Sequence, residues 1–272
     1  MSASVAPIRT RLDGQLFRIT LDRPDAGNAV DLDTALALQD AIASAEASAA
    51  TVIVLDAVGS VFCSGGDVAA MARASHPSAF LDRLAGAMHA ALEAMTRSRL
   101  FVVAAVDGAA AGGGLGLALT ADYLIATPRA RFLTAYAGVG LTPDSGVSSL
   151  LARSVGMHRA LALAATGRPL TADEAQRWGI VSEVVPPEQL AATVDGRARD
   201  FARAAGPALG ETKRLIRAAA EATYSAQLAE EQRTIAHAAG TPHAQERIRA
   251  FLDRGAAARA ESTAEPAKEQ GV

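Results

Sequence analysis

The sequence is short of the residues that mark secreted, zinc-bound or nucleic-acid-bound domains. Its 272 residues include a single cysteine, Cys63, which excludes an internal disulfide, and no paired Cys or Cys/His spacing suggests zinc. A reducing, cytoplasmic setting is expected. Lysine occurs only at Lys213 and Lys268, and the formal net charge of −3 provides no field for nucleic acid or an anionic membrane surface. No stretch of about 18 apolar residues runs free of charge and glycine. The N-terminal "MSASVAPIRTRLDGQLF" also lacks the apolar core of a signal peptide, so a soluble, unexported protein is expected. The histidines are scattered, with His237 and His243 separated by Gly240 and Pro242, and no metal site is expected.

Several catalytic signatures are missing too. With no Gly-Lys dipeptide there is no P-loop, and with no G-x-S-x-G there is no nucleophile elbow. Gly108, Gly112 and Gly114 match the glycine spacing of short-chain dehydrogenases, but Tyr123, Tyr136 and Tyr224 all lack a lysine four positions on.

What the chain does have is apolar content: half its residues, enough to bury one large core or a core with a small appendage. Short β-rich runs ("QLFRITL", "TVIVLDA", "FVVAAV", "DYLIAT", "ARFL") alternate with helical patterns at Asp31 to Glu46 and Ser78 to Arg97, which is the order of an α/β fold. After Pro186 the pattern becomes helix after helix, broken at "AAGP" and "AGTP". Residues 201–254 therefore read as a helical appendage to a core spanning 1–200. The small, polar 255–272 reads as a disordered tail. Leu209, Leu215, Ile216 and Leu228 give the appendage apolar faces that need a partner, in this chain or in a second copy.

Two glycine turns carry the chemistry. "VFCSGGDV" (61 to 68) and "AVDGAAAGGGLGLAL" (105 to 119) each follow a strand and open a helical pattern. Missing side chains there serve either close packing or the approach of backbone N–H groups to a ligand oxygen. Asp67 is placed to fix its turn through backbone hydrogen bonds, and Cys63 to pack beside it.

The order and spacing of "LDRPDAGNAVD", "VFCSGGDV", "VDGAAAGGGLGLALTADYLIA", "ARFLTAYAGVGLTPDSGVSSLLARSVG" and "GRPLTADEAQRWGIVSEVVP" resemble the enoyl-CoA hydratase/isomerase, or crotonase, superfamily over about Ile8 to Arg254. The resemblance implies an α/β spiral of ββα units with a C-terminal helical trimerisation region, assembled as a homotrimer or a pair of trimers. It also implies an acyl-CoA thioester substrate, with coenzyme A carried on the substrate and no further cofactor. The thioester oxygen would lie between the backbone N–H groups of Gly66 and Gly113, with Gly114 opening the helix start beside it. Ala26, Asn28, Ala29, Ser64 and Gly65 would hold the coenzyme A portion, and Arg23 or Arg254 its phosphates.

At the two positions where the hydratases resembled here carry water-activating glutamates, this chain has Gly116 and Tyr136. Both are expected at the substrate, Tyr136 as a pocket wall. Asp144 instead matches the aspartate of dienoyl-CoA and epoxyphenylacetyl-CoA isomerases. One carboxylate suits moving a proton between two carbons of the acyl chain, with no water to activate. A competing role for Asp144 is capping the helix that follows. The expected reaction is double-bond isomerisation of an enoyl-CoA or epoxyphenylacetyl-CoA-type substrate. The alternatives are a hydratase with a non-standard carboxylate and an inactive CoA-binding homologue.

Overall fold

The computed structural model describes residues 6–205 and 207–264. In chain order the strands and helices are β1 (Ile8–Asp13), β2 (Leu16–Leu21), α1 (Leu32–Glu46), β3 (Val52–Ala57), α2 (Val68–Arg73), α3 (Pro77–Arg97), β4 (Phe101–Val106), β5 (Ala109–Ala111) and α4 (Gly113–Leu119). They continue with β6 (Tyr123–Ala126), β7 (Arg131–Leu133), α5 (Val147–Val155), α6 (Met157–Thr166), β8 (Leu170–Thr171), α7 (Ala172–Arg177), β9 (Glu183–Val184) and the helices α8 (Leu190–Ala205), α9 (Pro207–Ala218), α10 (Tyr224–Ala239) and α11 (Pro242–Ala264).

The near-continuous apolar runs of β3 and β4 are what a strand covered on both faces requires. Ile53, Leu55, Val102 and Ala104 face the core beneath α1 and α3, while Val52, Val54, Val103 and Ala105 face Val194, Ala198 and Ala202 of α8. The main sheet runs β1-β2-β3-β4-β6-β9, with β1 antiparallel to β2 and the other neighbours parallel. A second, three-stranded sheet runs β5-β7-β8. Four main-sheet strands, β2, β3, β4 and β6, are each followed by a shorter extended piece and then a helix. After β2 that piece is Val30, bridged to Gly66; after β3 it is Cys63, bridged to Ala110; after β4 and β6 it is β5 and β7, paired with each other. Successive units thus stack their short pieces side by side, and the two glycine turns fall in adjacent units.

The compact first unit extends to Lys213, and the second begins at Arg214. The boundary expected near residue 201 therefore lies later, because α8 runs through that position and buries its apolar stripe on the sheet. Lys213 is buried and closes the first unit, pairing with Asp122 at 2.9 Å and donating to the carbonyls of Met95 and Leu100. In the second unit Arg214 pairs with Glu230, and Gln227 donates to the carbonyl of Leu215. The expected tail is corrected for residues 255–264, which continue α11. Alanine-rich "GAAARAESTA" favours helix by propensity, and the remainder of the expected tail, 265–272, lies outside the described residues. Among the described residues no helix is long and apolar enough to cross a membrane.

Candidate active site

The glycine turns meet. A Cβ built on Gly65 would lie 2.9 Å from the Ala111 carbonyl oxygen and 3.4 Å from Gly113 N, and one on Gly113 would lie 4.0 Å from Gly66 N. The neighbouring amides are spent in the bridges: Val30 N–H donates to the Gly65 carbonyl, Asp67 N–H to Val30, and Gly112 N–H to Leu133. The N–H groups of Gly66 and Gly113 donate to no other described protein group. Gly113 opens α4, where first-turn N–H groups have no partner within the helix. Asp67 holds its turn as expected, accepting from Ala70 N–H at 2.8 Å as the N-cap of α2.

Gly114 and Gly116 are packing glycines. A Cβ on Gly114 would fall 2.3 Å from the Cys63 carbonyl oxygen and 2.8 Å from its Sγ, so this position seats Cys63 rather than opening the helix start to a ligand. A Cβ on Gly116 would fall 2.3 Å from the Ser145 carbonyl oxygen. Gly116 is buried beneath the Asp144 loop and is not part of the cavity wall, which corrects its expected place at the substrate. Cys63 is fully buried, and burial pushes its thiol up to about 11. The folded protein is expected to resist iodoacetamide at neutral pH and to react once unfolded in urea, as mass spectrometry would read.

Gly66 and Gly113, whose amides are unspent, line a cavity of about 250 Å³. Its lining includes Leu81, Leu84, Ala85 and Met88 of α3 together with Tyr136, Asp144 and Ser145. Asp144 does not cap α5: the cap position is Gly146, with no side-chain bond, and only the Asp144 backbone carbonyl accepts from Val147 N–H. Its carboxylate turns to the cavity instead. The Tyr136 hydroxyl donates to Asp144 Oδ1 at 2.7 Å, and His89 Nε2 lies 3.7 Å from Oδ2. Burial, and then the adjoining carboxylate, hold the Tyr136 hydroxyl above the ordinary tyrosine range, so it stays a donor. Ala135 and Ser145 flank this cluster with φ of +58° and +51°, strained values for residues with a Cβ.

His89 had escaped the sequence reading. Its signal is helical spacing: Leu81, Leu84, Ala85 and Met88 follow an i, i+3, i+4, i+7 stripe, and His89 is the i+8 position of that face.

Among the expected coenzyme A contacts, Ser64 and Gly65 line the cavity, whereas Ala26, Asn28 and Ala29 do not. Asn28 is buried at φ +53°, and its side chain is committed to the protein. Its Oδ1 accepts from Arg23 N–H at 2.8 Å, and its Nδ2 donates to the carbonyls of Val58 at 2.9 Å and Val61 at 2.7 Å. Asn28→Ala should cost about 2–3 kcal/mol, near 1 kcal/mol per lost bond, read from urea unfolding. Arg23 is likewise committed, pairing with Asp31 at 2.9 Å and Asp67 at 3.8 Å and donating to the Ala29 carbonyl. It ties the Ala29–Asp31 segment to the turn at Asp67 rather than offering a free cation. Arg254 is exposed on α11 in the second unit, and every residue lining the cavity lies in the first. Among the described residues no cluster of three His, Cys, Asp or Glu is arranged to hold a metal ion.

The family description "Enoyl-CoA hydratase/isomerase" matches residues 12–260. The chain is 35% identical to the trans-2-decenoyl-[acyl-carrier-protein] isomerase of Streptococcus mutans, over 68% of this chain and 71% of that one. It is 32% identical to 4-chlorobenzoyl coenzyme A dehalogenase-2 of an Arthrobacter species, over 87% of each. An enoyl-CoA hydratase crystal structure from Polaromonas sp. JS666 superposes with a TM-score of 0.86 at 31% identity, covering 91% of this chain and 97% of that one. Similar chains thus carry three reaction names, so the choice among them rests on the residues of the site.

Proposed function

The chain belongs to the enoyl-CoA hydratase/isomerase family, and from that premise we propose that it shifts a double bond in an enoyl-CoA, with Asp144 carrying the proton. The observation that carries this reading is the state of the two carboxylates lining the cavity: Asp67 is spent as the α2 cap and on Arg23, which leaves Asp144, and the unspent N–H groups of Gly66 and Gly113 belong to the same lining.

Removing a proton from a carbon conjugated to a thioester leaves negative charge on the thioester oxygen. Fixed N–H dipoles at Gly66 and Gly113 would stabilise that enolate without reorganising. Asp144 would take the proton from one carbon and return it to another, which leaves the double bond displaced and the carboxylate restored. The cycle consumes no water and needs no cofactor beyond the coenzyme A of the substrate. Tyr136, held protonated, would steady Oδ1 while Oδ2 works. An epoxyphenylacetyl-CoA-type substrate falls within the same enolate chemistry. Assembly as a trimer or a pair of trimers belongs to the proposal, supported by Ile216, Ile235 and Phe251, large apolar side chains left exposed in the second unit.

The test is to incubate 3-enoyl-CoA thioesters with the protein in D₂O and follow them by NMR. Conjugated product is expected, with deuterium to the extent that the proton on Asp144 exchanges with solvent before its return; substrates left unchanged at every chain length would refute the reading.

A second reading is favoured by His89 beside Asp144 and by the similarity to a dehalogenase. A carboxylate with a neighbouring imidazole also suits displacement of halide from the ring of an aromatic acyl-CoA. There Asp144 would attack the ring carbon, and His89 would activate the water that then opens the resulting ester. Chloride release from 4-chlorobenzoyl-CoA would support this reading, and its absence would remove it.

A further inference from the structure

If Asp144 is the base, the loop that presents it needs an anchor. Ser145 is buried in the left-handed region, with its carbonyl pressed against Gly116. A buried backbone N–H at such a turn requires an acceptor. Among the described residues the Ser145 N–H has one acceptor, His89 Nε2, at 3.0 Å. A ring nitrogen that accepts carries no hydrogen, so the proton of the neutral imidazole sits on Nδ1. The same Nε2 is 3.7 Å from Asp144 Oδ2, and without a hydrogen it makes no bond to that oxygen.

We propose that His89 is a positioning residue: as its Nδ1–H tautomer it accepts the Ser145 N–H, fixes the strained Asp144–Ser145 turn over Gly116, and leaves Asp144 Oδ2 free to receive the substrate proton. The lone pair of Nε2 is used in holding the turn and is not available to activate water, so the proposal stands against the dehalogenase reading, in which His89 would do so. The catalytic part of this inference rests on the proposed role of Asp144; the tautomer and the anchored turn do not.

The experiment has two arms. In the first, the full-length protein is labelled with ¹⁵N-histidine, the His89 signals are assigned by their loss in His89→Gln, and the tautomer is read at about pH 8, above the ordinary histidine range. Nδ1–H is expected, and Nε2–H at His89 would overturn the proposal. In the second, double-bond migration is compared in His89→Leu, which has no acceptor, and His89→Gln, whose Oε1 can replace Nε2. The leucine variant should lose about 10- to 100-fold in kcat with KM within about twofold, the pattern of a lost transition-state contribution. The glutamine variant should stay within about threefold of wild type. A glutamine variant slowed by 10-fold or more, about the range set for leucine, would overturn the proposal even if the leucine variant does not fold. A leucine variant as fast as wild type would do the same. If the wild-type protein moves no double bond, the reading of Asp144 fails, and the tautomer still decides whether the imidazole holds the turn.

Discussion

Asp144→Asn is expected to slow double-bond migration by roughly 10²- to 10⁴-fold, the usual contribution of a positioned general base. Asparagine keeps the shape of the side chain and an oxygen to accept the Tyr136 hydroxyl, which bonds Asp144 Oδ1 at 2.7 Å. The turn and the cavity should therefore survive. What disappears is the proton acceptor, since an amide is not basic at neutral pH. The loss should appear in kcat, with KM for a 3-enoyl-CoA changed little, because the cavity wall and the Gly66 and Gly113 amides are unaltered. Steady-state kinetics reads both, and a variant retaining more than about a tenth of the wild-type kcat would remove Asp144 from the proton path.

The second large effect concerns what cannot be put back. Installing glutamate at positions 116 and 136 would recreate the pair carried by the hydratases this chain resembles. The structure predicts a damaged protein and no hydratase. A Cβ at position 116 would fall 2.3 Å from the Ser145 carbonyl oxygen and 2.7 Å from its Cβ, so even the first carbon of the side chain displaces the backbone of the Asp144 loop. Overpacking alone costs about 1–3 kcal/mol, and a buried carboxylate without a partner adds to that. Gly116→Glu is therefore expected to destabilise the fold by about 3 kcal/mol or more, read from denaturant unfolding, and to abolish migration. The double variant Gly116→Glu/Tyr136→Glu should hydrate crotonyl-CoA no faster than buffer. A folded double variant with hydratase activity would show that the loop is not what excludes a carboxylate there.

The legible parts of this chain were those written in local pattern. Apolar runs such as "FVVAAV" announced buried strands, and the strand–glycine–helix order marked both turns that now face the cavity. Asp144 was found through the resemblance to isomerases of the family, and its alternative as a helix cap was settled only by the position of Gly146. The features that stayed hidden depend on contacts between residues far apart in the chain. Nothing local distinguishes Gly113, whose amide is unspent, from Gly114 and Gly116, whose missing side chains admit Cys63 and Ser145. Arg23 looked like a free cation because its partners, Asp31 and Asp67, are brought to it by the turns. His89 lay on a recognisable helical face, but its meaning depends on a loop 56 residues away. The unit boundary was misplaced because α8 and the helices after it share one sequence pattern, while α8 alone covers the second face of the sheet.

The most direct measurement of the central claim, that Asp144 moves a substrate proton rather than activating water, is to give the wild-type protein a 3-enoyl-CoA in D₂O enriched in H₂¹⁸O and to determine product mass and double-bond position. The account predicts a conjugated enoyl-CoA with no ¹⁸O, carrying deuterium only to the extent that the proton on Asp144 exchanges with solvent before its return. A hydroxyacyl-CoA carrying ¹⁸O as the first product would contradict it.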